Sequence, residues 1–161
     1  MIIIVMGVSG SGKTTIGKLL ADSLDWEFSD ADTFHSPENV EKMRRGIPLS
    51  EADRMPWLQD LQTAIKHWLQ ENQNVVLACS ALKDNYRQFL VFDSERIKLV
   101  YLKGSYELIQ MRLKERSNHY MSEKLLNSQF NTLEEPLDTI SIDVAQPPQI
   151  IVQNIRTALG I

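Results

Sequence analysis

The chain has 161 residues, 43% hydrophobic and 24% charged, a size and balance that suit one globular domain with a core of its own. A formal charge of −4 excludes the basic balance of a general nucleic-acid binder, so an anion site would have to be built from locally placed cations. Cys79 is the one cysteine, which excludes an intrachain disulfide and a cysteine-cluster metal site; no apolar run reaches the length of a membrane span, and the cytoplasm is the expected location.

Ile2 to Met6 is an unbroken run of β-formers, the pattern of a strand buried on both faces of a parallel sheet. Glycines separate it from Lys13 to Leu24, where Ile16, Leu19, Leu20 and Leu24 recur at helical spacing. Trp26 to Ser29 predicts a second strand, ending in Asp30-Ala31-Asp32. Pro37 to Arg45 predicts a short helix closed by Gly46. From about Asp53 to Glu71 a longer helix is expected, with Leu58, Leu61, Ile65, Trp68 and Leu69 on one stripe. Asn74 to Ala78 and Ile97 to Leu102 read as the third and fourth strands. Ser105 is expected to cap a helix running to Arg116, and Ser122 to Thr132 to form another. Ile140 to Val144 alternates as a strand would, with an edge position one option, and Ile151, Ile155, Ala158 and Leu159 line a last helix. This order implies an α/β fold with right-handed crossovers, a parallel sheet, helices on both faces, and ligands at the carboxyl ends of the strands.

Gly7-Val8-Ser9-Gly10-Ser11-Gly12-Lys13-Thr14 matches G-x-x-x-x-G-K-[ST] without a gap, between a predicted buried strand and a predicted helix. Glycines let the backbone curl until its N–H groups converge on phosphate oxygens, and the helix adds its positive end. Lys13 is placed to reach β- and γ-phosphates, and the Thr14 hydroxyl can ligate Mg²⁺. A bound nucleotide is the expectation.

Asp30 and Asp32 follow the second strand on the same rim. In an extended segment, residues two apart point the same way, so both carboxylates could face a cleft, one as base for an acceptor hydroxyl and one supporting the metal. Alone they read more readily as solvated loop acids. Neither the third nor the fourth strand ends in an aspartate, however, so a carboxylate for the metal must come from elsewhere, and Asp30 or Asp32 is best placed; a GTPase is disfavoured, since Asn-Lys-x-Asp is also missing. His35, Lys42, Arg44, Arg45, Arg54, Lys83, Arg87 and His119 gather on the rim, with Arg54 and Arg87 the better candidates for gripping an anionic acceptor. Arg112 and Arg116, four apart, share a helix face from which they could neutralise a transferring phosphoryl group. Cys79 reads as a packed residue rather than a nucleophile. Open readings at this point are a kinase acting on a small acceptor such as a sugar acid, shikimate or a nucleoside monophosphate, and a regulatory module that binds nucleotide without chemistry.

Five blocks then carry a family resemblance: MGVSGSGKT at 6–14, DADTFHSPENVEKMRRGIPLSEADRMPWL at 30–58, CSALKDNYR at 79–87, YLKGSYELIQMRLKER at 101–116, and SQFNTLEEP at 128–136. Together they span nearly the whole chain, which resembles the gluconokinase family of P-loop kinases, related in fold to shikimate and nucleoside monophosphate kinases. The resemblance implies a three-layer α/β sandwich over 1–161, with an acceptor-binding helical segment at about 35–58 and a lid at about 112–125. It implies ATP-dependent phosphorylation of D-gluconate at the 6-hydroxyl, with Mg²⁺, in a homodimer. Carried onto this sequence, Lys13, Asp32, Arg112 and Arg116 would be catalytic, and Thr14 and Asp30 would support the metal. Gly7, Val8, Ser9, Gly10, Ser11, Gly12, Lys13, Thr14 and Thr15 would hold the nucleotide, with Gln146 and Pro147 near adenine. Asp32, His35, Arg54, Lys83, Arg87 and His119 would form the sugar-acid pocket. Two departures stand out: Ser36 intervenes between His35 and Pro37, and Arg44-Arg45 adds charge.

Overall fold

The computed structural model describes residues 1–115 and 123–161. Five strands, β1 (Ile2–Met6), β2 (Glu27–Asp30), β3 (Val75–Ala78), β4 (Ile97–Lys103) and β5 (Ile140–Asp143), form one sheet in the order β2-β3-β1-β4-β5. Every pairing is parallel, with Ile4 of the central strand opposite Leu77 on one side and Leu99 on the other. β5 is at the edge, as its alternating pattern suggested.

All five residues of β1 are buried because both faces of the sheet are covered. Ile2, Ile4 and Met6 join a cluster with Trp57, Leu61, Ile65 and Leu90, from α3 (Glu51–Gln70) and α4 (Asp84–Leu90). Ile3 and Val5 point the other way, toward Ile16 and Leu20 of α1 (Lys13–Leu24), Ile109 of α5 (Tyr106–Glu115), Leu126 of α6 (Glu123–Thr132) and Ile155 of α7 (Pro148–Leu159). This strict alternation of side chains is what makes three layers from one apolar run. No helix among the described residues is long and apolar enough to cross a membrane.

The chain leaves β1 toward α1 on one face and leaves β3 toward α4 on the other, which opens a crevice between their carboxyl ends. Two helical pieces roof it. Ala31–Phe34 makes one 3₁₀ turn after β2, and α2 (Pro37–Arg44) follows, capped by Ser36 Oγ, which accepts from Asn39 N at 3.2 Å. α3 begins at Glu51, two residues before the expected start. Ser50 and Asp53 form a reciprocal capping box that sets the boundary there.

α4 has no counterpart in the sequence reading. It is seven residues long, and its N-cap, Lys83, makes no side-chain cap bond. The cap comes from far along the chain: Asp84 N donates to Glu134 Oε1 at 2.7 Å.

Candidate active site

The loop from Gly7 to Thr14 joins β1 to α1 and can do so only with its glycines. Gly10 has φ of 83°, and a Cβ there would sit 2.9 Å from the Leu113 side chain of α5. At Gly7 a Cβ would lie 2.6 Å from Ser11 Oγ, which is buried and has no hydrogen-bond partner among the described residues. The curled backbone leads directly into the N-terminus of α1, the amide-rich, partly positive end that suits a phosphate. Lys13 Nζ donates to Val8 O at 3.1 Å, folding the side chain back over the loop.

The loop is a wall between two cavities. On one side Gly10, Gly12, Thr15, Arg112 and Gln146 line a space of about 290 Å³. Arg112 donates to the Val144 carbonyl, which anchors α5 to the segment following β5. Of the expected adenine neighbours, Gln146 lines this cavity; Pro147 is the residue ahead of α7, and Pro148 takes the lining position. Arg116 and His119 lie outside the described residues.

On the other side is a cavity of about 550 Å³ whose polar lining includes Ser9, Lys13, Asp32, His35, Arg54 and Gln129. Asp30 and Asp32 are not arranged as the extended pair expected. Asp30 ends β2, and its Oδ1 accepts from Asp32 N at 3.0 Å while Thr33 Oγ1 donates to Asp30 O at 2.7 Å, so the chain bends into the 3₁₀ turn. Trp57 Nε1 donates to Ala31 O at 2.7 Å and pins that turn from below. The two carboxylates therefore divide the work by position. Asp30 Oδ2 accepts from Thr14 Oγ1 at 3.1 Å, on the phosphate side, whereas Asp32 lines the larger cavity.

Asp32 keeps an accessible face, yet protein surrounds it on most sides. This crowding raises its pKa, the neighbouring Asp30 charge raises it further, and Lys13 opposes both. A carboxylate made more basic than usual is the better proton acceptor. One hydroxyl and one carboxylate, Thr14 and Asp30, suit Mg²⁺, which is held largely by waters and phosphate oxygens; the described residues contain no cluster of three metal-ligating side chains.

Two expectations are corrected. Arg87 is no pocket residue: it is 5% exposed and spends its guanidinium on the carbonyls of Ala81, Leu82 and Glu134, at 2.8, 3.0 and 2.7 Å. It ties the loop after β3 to the segment after α6. Lys83 is also missing from the lining, because it pairs with Glu51. Glu51 in turn accepts from Tyr86 Oη at 2.9 Å, and Tyr86 Oη accepts from Arg54 at 3.3 Å, so Lys83 supports Arg54 through a chain of contacts. His35 lines the cavity, and burial and the nearby Arg54 charge bring its pKa down to about 4. Cys79 is buried and its thiol is pushed up to about 12, chiefly by desolvation, which bears out its reading as a packed residue.

Gln129 was not singled out from the sequence. Its Oε1 accepts from Ser9 N at 2.7 Å and its Nε2 donates to Ser9 Oγ at 3.2 Å, joining α6 to the phosphate-binding loop. A partner 120 residues away leaves no local signal. Trp57 stood inside a matched block, but nothing in its spacing marked it as the support of the Asp32 turn.

A phosphate-binding loop at a sheet switch point, with an acceptor cavity holding Lys13 and a basic Asp32, defines a P-loop kinase for a small molecule. The model of the shikimate kinase family matches residues 9–159. A gluconokinase of Arabidopsis thaliana is 42% identical over 96% of this chain and 89% of its own. The thermosensitive gluconokinase of Escherichia coli K12 is 40% identical over 97% and 86%. The solved structure of a gluconokinase from Sinorhizobium meliloti 1021 superposes with a TM-score of 0.88 at 41% identity, covering 98% of this chain and 90% of that one. The chain belongs to the gluconokinase family, within the wider shikimate-kinase-like group of P-loop kinases.

Proposed function

We infer that this protein transfers the γ-phosphoryl group of ATP to the 6-hydroxyl of D-gluconate. The observation that carries the reading is the shared cavity of Lys13, Asp32 and Arg54: a phosphate-side cation, a base, and an arginine suited to a carboxylate. Asp32 orients the acceptor hydroxyl and takes its proton as the new O–P bond forms and the bond to the ADP oxygen breaks. Lys13 offsets the negative charge on the phosphoryl oxygens. Arg54, held by Tyr86, faces the sugar-acid carboxylate, and His35 donates a hydrogen bond to a substrate oxygen. Mg²⁺, when bound, shields the phosphate charge, with Thr14 and Asp30 as its protein support. Arg112 and Gln146 line the nucleotide side. Residues 35–58 form the acceptor-binding segment; residues 116–122 of the expected lid, among them Arg116 and the expected pocket residue His119, fall outside the described residues. A cytoplasmic homodimer without nucleic-acid or membrane partners completes the reading, and light scattering tests the dimer.

ADP release should be measured by a coupled assay against gluconate, other sugar acids, shikimate and nucleoside monophosphates. Turnover of gluconate with ATP and Mg²⁺ is expected. Shikimate is the sharpest competitor, because the matching family model bears its name. Efficient use of shikimate with none of gluconate would overturn the substrate assignment.

A further inference from the structure

His35 is held on two sides. Its ring stacks on Trp57, centroids 4.4 Å apart and planes 12° from parallel, and its Nδ1 lies 3.2 Å from Asn39 Nδ2. The same amide nitrogen is 2.8 Å from the carbonyl oxygen of Asp53. A carbonyl oxygen can only accept, so this second contact decides which end of the Asn39 amide faces inward: it is the NH₂ group. With Nδ2 donating, Nδ1 must offer its lone pair, and the proton of the neutral ring resides on Nε2. Asn39 is 5% exposed and does not line the acceptor cavity, whereas His35 does.

We propose that Asn39 is a positioning residue for acceptor recognition, holding His35 as the neutral Nε2–H tautomer so that the cavity gains one directed donor and no positive charge. The matching ligand group is a hydroxyl or carboxylate oxygen of a polyol acid, which rests on the gluconate reading above. The charged groups that share the cavity or its wall with the ring are Arg54 on α3, Asp32 on the adjoining turn, Lys13 of the phosphate-binding loop, Arg44 and Arg45 (both paired with Glu41), and the Lys42–Asp53 pair bridging α2 and α3. Arg54 already supplies the cation for a carboxylate. A second cation beside it would be repelled; a neutral donor adds direction without that cost. Asn39 thus acts at one remove, through the proton it denies to Nδ1.

The test begins with the ligand-free wild type. The chain has three histidines, so long-range ¹H–¹⁵N spectra are readily assigned with a His35→Gln control. His35 Nδ1 should show the shift of an unprotonated nitrogen and Nε2 that of a protonated one, unchanged between about pH 5.5 and 8. An Nδ1–H tautomer, or an imidazolium in that range, overturns the proposal whether or not gluconate is the substrate. Asn39→Asp replaces the donor by an acceptor, which draws the proton to Nδ1. The acceptor KM should then rise about tenfold or more and acquire a titration near the ordinary histidine pKa of about 6.5, while the ATP KM stays within about twofold. An Asn39→Asp enzyme whose acceptor KM and pH profile match the wild type would also overturn it. If gluconate itself fails as a substrate, the same KM comparison is made with the acceptor that the panel identifies.

Discussion

At the scale of single residues, Asp32 meets two demands that pull in opposite directions. Crowding at the cavity wall and the charge of Asp30 destabilise its ionised form, and that same destabilisation makes it a stronger base. Its folded pKa is raised above the unfolded value of 3.8, so the ionised group costs stability at neutral pH; the cost disappears as pH falls through the folded pKa and below 3.8. Asp32→Asn should therefore lower kcat by about 10²- to 10⁴-fold while leaving the protein as stable as wild type or more so at pH 7. Any gain should fade in acid. Steady-state kinetics and melting curves at two pH values check both halves, and near-normal turnover would remove Asp32 from the base role.

Among the elements, α4 shows how a helix can be specified from a distance. Seven residues without a local cap are marginal by themselves. Glu134 supplies the missing acceptor through its side chain, and its backbone carbonyl holds Arg87 of the same helix. The Leu82 carbonyl also accepts from Glu134 N at 2.8 Å. Glu134→Ala removes only the cap and leaves these backbone contacts, so urea unfolding should show a loss of about 1 kcal/mol. Unchanged stability would mean that the Arg87 bonds and the burial of Leu90 hold α4 without its cap. By contrast, α1 was readable to the residue, Lys13–Leu24, because its apolar stripe and the glycine ahead of it are local signals.

For the whole molecule, the sheet order places the phosphate-binding loop between two cavities, with Lys13 lining the larger and Gly10, Gly12 and Thr15 the smaller. Nucleotide binding should stabilise the fold by mass action, by about 2.7 kcal/mol at a hundred times Kd. Lys13→Ala should lose most of the ATP-induced rise in Tm while the ligand-free Tm changes little, a comparison that thermal unfolding with and without ATP provides. An undiminished rise would remove Lys13 from phosphate binding.

By itself the sequence determined the strands and their alternation with helices, the glycine loop and its lysine, and the family, because each is written in contiguous residues or local periodicity. Asp30 and Asp32 were legible as a pair but not as a division of labour, since the turn that separates them is pinned by Trp57 reaching Ala31 from 26 residues away. Only the tertiary structure withdrew Arg87 and Lys83 from the pocket, because their competing partners, the carbonyl of Glu134 and the carboxylate of Glu51, are 47 and 32 residues away. It alone brought Gln129 to Ser9, and it alone made His35 a neutral donor. Which proton a histidine keeps is decided by what is packed against it, and packing is not written in spacing.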